Sequence, residues 1–286
     1  MRVLVVGSTG TIGSQLSTYL SQNGVEVFAT SRNATRDKNS IHLDLADISP
    51  VVDVIKKQKM FDGAVLCAAV TNLQECKRNP KATSQINVKS QITLAKSLLH
   101  AGTKKIVCLS SSRVFDGKSA NTNRFVNYSF TTEYGRQKAE AETELLKLGQ
   151  AVRVIRLTKV LSEDNSFLKE WVSSLRVGQE IMAFVDVMIS PVTLDDTVKV
   201  ISEVVESEFE PVTQFSATDE VSYFDVARFV AKFLQVDMNL VKARKAEESG
   251  ETPLHHGSLE CSKFISVEPT SSIIALQKVL EKMVSQ

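Results

Sequence analysis

Apolar residues in this chain gather into short unbroken runs, and between the runs they recur at intervals of three and four. The first run, Val3 to Val6, stops at Gly7, Gly10 and Gly13, after which Thr11 to Gln22 mixes polar and apolar positions. An apolar run cut off by glycine predicts a strand buried on both faces, and the mixed stretch predicts the helix that follows. The pattern repeats. Strands are predicted over Val25 to Thr30, Ile41 to Leu45, Asp62 to Ala69, Lys104 to Leu109 and Ala151 to Thr158. Helices are predicted around Val51 to Lys59, from Lys81 to His100 and from Glu133 to Leu148. Asn79-Pro80 opens the second of these and Gly102 ends it, with Ile86, Leu94, Leu98 and Leu99 at helical spacing. Asn87, inside it, is either an internal hydrogen-bonding group or an exposed polar residue, and exposure is the favoured reading.

Strands alternating with helices predict an α/β fold, a doubly wound parallel sheet of the Rossmann type over residues 1–158. From Lys159 the rhythm loosens, and residues 159–286 read as a smaller α+β unit from which a segment near 188–206 returns to the first. In that unit Phe167, Leu168, Trp171, Val172 and Leu175 form a helical apolar stripe, so Trp171 is a packing residue. Ser190-Pro191-Val192-Thr193 leads into a helix whose first turn carries Asp195 and Asp196, acids matched to the helix dipole. Ser222 caps a further helix over Phe224 to Leu234, and a last helix starts near Ser271.

Composition narrows the function classes. The 286 residues carry 34 basic and 33 acidic side chains with no dense basic cluster, which argues against a nucleic-acid partner. No apolar run reaches membrane-spanning length, and the N-terminus enters the first strand directly; no membrane partner or export is expected. Cys67, Cys76, Cys108 and Cys261 are widely spaced without a CxxC pair, which predicts reduced thiols and a cytoplasmic protein. His255-His256 lacks matching acidic or cysteine ligands, and no metal is expected.

The glycine turn is the first candidate for chemistry. Without side chains at Gly7, Gly10 and Gly13, the backbone N–H groups of Thr9, Gly10, Thr11 and Ile12 can close on a pyrophosphate at the helix N-terminus, which makes a dinucleotide site. The second strand ends in Ser31-Arg32, with hydroxyl and guanidinium groups suited to a ribose 2′-phosphate and no acid for a 2′-OH, so the expected cofactor is NADP, with NAD as the alternative. Asp44 and Leu45 would meet the adenine edge, and Cys67, Ala68 and Ala69 the same cofactor from the next strand end. Downstream, Ser110-Ser111-Ser112 closes a strand where ligands bind in such sheets. Tyr134 and Lys138 lie four apart on one helix face, a spacing at which an ammonium can bring the phenol's pKa of about 10 towards neutrality.

With GSTGTIG, a serine cluster and a YxxxK pair in this order, the chain resembles the extended short-chain dehydrogenase/reductases. Within them it is similar to the sugar-nucleotide reductases of the dTDP-4-dehydrorhamnose reductase type, through SSSRVFDG, YGRQKAEAE, VIRLTKVL and ISPVTLDD. That resemblance implies NADPH-dependent reduction of a keto group on a nucleotide-linked deoxysugar, with the substrate held by the smaller unit, and it allows a homodimer. It gives Ser111 the catalytic hydroxyl position, Tyr134 the acid position, and Lys138 the position that tunes the phenol and holds the cofactor ribose. Two departures stand out: Ser112-Arg113 where the rhamnose-pathway enzymes often have Asp-Tyr, and Lys159-Val160-Leu161 where they have aromatic residues. Ser112-Arg113 offers neither carboxylate of a dehydratase. An epimerase on the same scaffold, and a non-catalytic NADP-binding subunit like the β subunit of methionine adenosyltransferase, remain the alternatives.

Overall fold

The computed structural model describes residues 1–33, 39–48, 55, 61–207 and 210–285. The strands and helices, in chain order, are β1 (Arg2–Val6), α1 (Thr11–Gln22), β2 (Glu26–Ser31), β3 (Ser40–His42), β4 (Gly63–Leu66), α2 (Leu73–Arg78), α3 (Pro80–Ser84), α4 (Gln91–His100), β5 (Lys105–Ser111) and α5 (Glu133–Leu146). They continue with β6 (Val152–Leu157), β7 (Lys159–Leu161), α6 (Ser166–Arg176), β8 (Ile181–Phe184), β9 (Met188–Ile189), β10 (Pro191–Thr193), α7 (Leu194–Glu206), β11 (Val212–Phe215), β12 (Val221–Ser222), α8 (Tyr223–Phe233), β13 (Val241–Arg244) and α9 (Ser272–Val284). The helix expected around Val51 to Lys59 lies, apart from Ile55, outside the described residues.

Seven strands form one sheet in the order β11-β6-β5-β4-β1-β2-β3, and all its pairings are parallel. The order reverses between β1 and β4, the place where an open α/β sheet parts its crossover helices and leaves a crevice at the strands' C-terminal ends. The period of two along β1 supplies both cores. Leu4 and Val6 face one side and pack with α4 and α5 through Leu94, Leu98, Ala141 and Leu145. Val3 and Val5 face the other, against Leu16 and Leu20 of α1 and Val198, Ile201 and Val204 of α7. A third cluster joins α6, α8 and α9 through Trp171, Leu175, Val226, Val230 and Leu276. Trp171 packs there edge-on to Phe167, with ring centres 5.0 Å apart.

The helix starts follow their polar caps. The Thr193 hydroxyl accepts from Asp196 N at 3.0 Å, while Asp195 and Asp196 occupy the first turn of α7 and pair with lysines. Ser222 and Asp225 form a reciprocal capping box on α8.

One buried ion pair ties α5 to the sheet. Arg156 of β6 donates through Nε and Nη2 to Glu142 Oε2 of α5, at 3.0 and 2.8 Å, and Tyr128 Oη donates to the same oxygen. Removing one partner leaves a charge buried without its counter-ion. Glu142→Ala is therefore expected to cost about 3–5 kcal/mol, measured as a lower urea midpoint at unchanged slope. A loss below about 1 kcal/mol would show that the pair is screened like a surface bridge.

Candidate active site

The glycine turn is tied to the strand beside it. Gly7 N and Ser8 N donate to Thr30 Oγ1 and Thr30 O, both at 3.1 Å, and Gly7 takes φ +83° against Ala68. The three glycines do different work. A Cβ on Gly7 would lie 2.7 Å from Ala68 Cβ, and one on Gly13 only 2.2 Å from Gly7 O, so the protein's own packing requires both. At Gly10 a Cβ would meet nothing within 4 Å except Gly7 O at 3.5 Å, and the backbone there is extended, with φ −81°. The fold does not need glycine at this position. Gly10 is also the N-cap of α1, which has neither a side-chain cap nor an acid in its first turn, so backbone donors there have no such partner.

The turn forms one end of a cleft of about 810 Å³. Gly7, Thr9 to Gly13, Ser31, Arg32, Asp44, Leu45 and Cys67 to Ala69 line it together with Ser111 and Tyr134. Burial pushes the Cys67 thiol up to about 12, so it is neutral. Of the predicted site residues Lys138 alone stands outside: its ammonium is buried behind the cleft beside Asn87 and Cys108 and donates to Leu109 O.

The pair Ser111 and Tyr134 is brought together by a close contact between their elements. Thr132 caps α5 by accepting from Gly135 N at 3.1 Å. A Cβ on Gly135 would lie 2.1 Å from Arg113 O, so only glycine lets α5 settle this tightly on the turn after β5. The Ser111 hydroxyl interacts with the phenol and favours its ionised form, as does the Arg113 charge. Burial outweighs both and, with the field of Cys76, pushes the Tyr134 pKa up to about 12. The expected lowering towards neutrality is not found. Spacing places Lys138 on the right helix face, but burial lowers its own pKa and it spends its ammonium on a backbone carbonyl.

Asn87 corrects a second expectation, because it is fully buried. It sits in a π-helical turn, Gln85–Ser90, that interrupts the long helix between α3 and α4. Its Oδ1 accepts from Val70 N at 2.8 Å, while Nδ2 donates to Val70 O at 2.9 Å and to Gln137 Oε1 at 2.8 Å. Gln91 Nε2 donates to Ala68 O at 2.7 Å. The kinked helix thus fixes both the loop after β4 and the α5 residue preceding Lys138.

The far side of the cleft comes from the later chain, through Thr158, Lys159, Val160, Asn165, Met188 to Ser190, Tyr223, Leu254 and Gly257. Sequence reasoning singled out none of these as site residues. Both departures from the reductase pattern open here, since Ser112, Arg113, Lys159 and Val160 all line it.

The profile of the family described as RmlD substrate binding domain matches residues 1–267. The chain belongs to that family. Its α9 begins beyond the matched segment, at Ser272. One relative, the probable low-salt glycan biosynthesis reductase Agl14 of Haloferax volcanii, is 23% identical over 255 residues, 85% of this chain and 83% of that protein. The methionine adenosyltransferase 2 subunit beta of Danio rerio is 28% identical over 164 residues, 57% of this chain and 49% of the other. Among solved structures, dTDP-4-dehydrorhamnose reductase of Bacillus anthracis in complex with NADP superposes with a TM-score of 0.86 at 19% identity, covering 98% of both chains.

Proposed function

We propose that this protein is an NADPH-dependent reductase of a keto group on a nucleotide-linked sugar. The observation that carries this reading is one cleft in which a glycine turn with open space at Gly10 shares its walls with the Ser111 and Tyr134 hydroxyls. The turn fits a dinucleotide, because Gly10 leaves backbone and an uncapped helix start bare where a pyrophosphate would approach. Bound there, NADPH supplies the hydride. Ser111 holds the carbonyl oxygen of the substrate, and Tyr134 gives its proton to that oxygen as it gains charge, so ketone becomes alcohol and solvent restores the phenol. A phenol pushed up to about 12 is protonated across the neutral range, the state a proton donor needs. Lys138 positions the site by joining α5 to the last residues of β5, and the N–H groups of its ammonium not engaged by Leu109 O are those that would reach the cofactor ribose. The segments after residue 158 supply the substrate side. Four free thiols agree with a cytoplasmic setting.

The test is NADPH consumption with a panel of nucleotide-linked keto sugars, and loss of cofactor absorbance only when sugar is present is the expected result. A non-catalytic NADP-binding role draws on the methionine adenosyltransferase relative and on Lys138 lying outside the cleft. Binding without consumption across the panel would establish it.

Cofactor choice follows from Arg32, which is exposed on the cleft and has no ion pair among the described residues. A charge-assisted bond to a 2′-phosphate contributes about 1.5–3 kcal/mol. NADPH should therefore bind at least about tenfold more tightly than NADH, and Arg32→Ala should erase the difference by calorimetry. Equal affinities in the unmutated protein would overturn the NADP preference.

A further inference from the structure

We infer that the substrate carries an anionic group on its sugar beside the reacting carbonyl, a carboxylate of the uronate kind, received by Arg113 and Lys159. The inference rests on the sugar-nucleotide reading and sharpens it. β5 and β6 are neighbours, and Ser111 stands in register with Leu157. Arg113 and Lys159 each lie two residues beyond that rung, where both strands give out onto the cleft.

Two cationic residues therefore line the same part of the cleft. The one carboxylate among the described lining residues is Asp44, at the far end beside Leu43 and Leu45. Neither cation has a hydrogen-bonded counter-ion among the described residues. Among the described residues the Arg113 guanidinium makes no hydrogen bond or ion pair, and Lys159 Nζ does no more than lie 5.1 Å from the centre of the Phe167 ring. Glu251 acts on Arg113 through space without a hydrogen bond to it, and accepts from Gln74 Nε2 at 2.8 Å. Burial lowers the Arg113 pKa, and the fields of Tyr223, Glu251 and Tyr134 only partly offset that. A partly buried guanidinium without an acceptor is desolvated at a cost that an incoming anion would reverse.

Guanidinium presents paired N–H donors that match the two oxygens of a carboxylate, and the lysine adds a point charge from the adjoining strand end. Every nucleotide sugar also brings a diphosphate. Arg113 follows Ser111 by two residues, and its charge acts on the phenols of Tyr223 and Tyr134, which line the same cleft; the probes below separate the sugar's anion from the diphosphate.

Calorimetry on the NADP⁺-loaded protein separates these sources without turnover. The probes are the UDP and dTDP forms of glucuronate and of glucose, together with UDP and dTDP alone. The glucuronate forms are expected to bind roughly 10- to 10²-fold more tightly than the glucose forms, the range of a charge-assisted hydrogen bond. The double variant Arg113→Met, Lys159→Met should lose that preference and keep its affinity for the glucose forms. Equal binding of both sugars by the unmutated protein would overturn the inference, as would a preference that survives in the double variant. A double variant that loses the nucleoside diphosphates as strongly as the glucuronates would also overturn it, by assigning the cations to the diphosphate. In each of these cases the sugar-nucleotide reading stands, because neutral sugar nucleotides still bind. No binding of any sugar nucleotide would overturn both.

Discussion

A Tyr134→Phe protein should bind NADPH as tightly as the unmutated protein and turn over roughly 10²–10⁴-fold more slowly, the usual consequence of losing a general acid. The substitution keeps the ring in its packed position on α5, where the residue is only 8% exposed, and deletes one hydroxyl. That hydroxyl contributes nothing to the glycine turn, so cofactor affinity has no reason to change. Ser111→Ala should slow turnover less, because the phenol still delivers its proton. With the phenol pushed up to about 12 by burial, reduction should not fade through the neutral range from ionisation of Tyr134. Steady-state kinetics over a pH series, with calorimetric NADPH binding for each variant, checks these statements together. Unchanged turnover in Tyr134→Phe would remove the residue from the chemistry.

Gly10→Val should separate folding from cofactor binding. A side chain at this position meets no protein atom closer than Gly7 O at 3.5 Å, and φ −81° with ψ 164° suits any residue, so the variant should fold with stability within about 1 kcal/mol of the original. The isopropyl group would occupy the space that a pyrophosphate needs, and NADPH affinity should fall by two orders of magnitude or more, about 3 kcal/mol. Gly13→Ala should behave in the opposite sense. Its Cβ would meet Gly7 O at 2.2 Å, so stability falls first and binding fails as a consequence. Thermal melts and NADPH titrations on both variants give the comparison, and normal cofactor binding by a folded Gly10→Val protein would show that the turn is structural.

Much of this architecture is legible because its signals are local. The run Val3 to Val6 ending in glycine can be read without knowing the rest of the chain, and so can the serines closing β5 and the cap residues of α7 and α8. What escaped depends on distant partners. Asn87 reads as exposed since the groups that bury it, Val70 and Gln137, stand 17 and 50 residues away. The i, i+4 spacing puts Lys138 on the face of Tyr134, but no spacing reports that Leu109 O, 29 residues away, holds its ammonium. β11 is not predicted as a strand by any apolar run. It buries Thr213 and Gln214 rather than an apolar run, and the amide of Gln214 is accommodated by donating to Thr122 O and Glu260 O. The cleft's far wall escaped for the same reason, because its residues come from separate short elements that only the fold assembles.

The central claim is hydride transfer to a sugar, and its most direct measurement follows the hydrogen itself. The protein is incubated with a nucleotide-linked keto sugar and NADPH deuterated at the transferring position, and the products are weighed by mass spectrometry. The account predicts a sugar alcohol carrying one deuterium, formed in step with NADP⁺. An isomerised sugar with the cofactor unconsumed, or bound cofactor with the sugar unaltered, would contradict it.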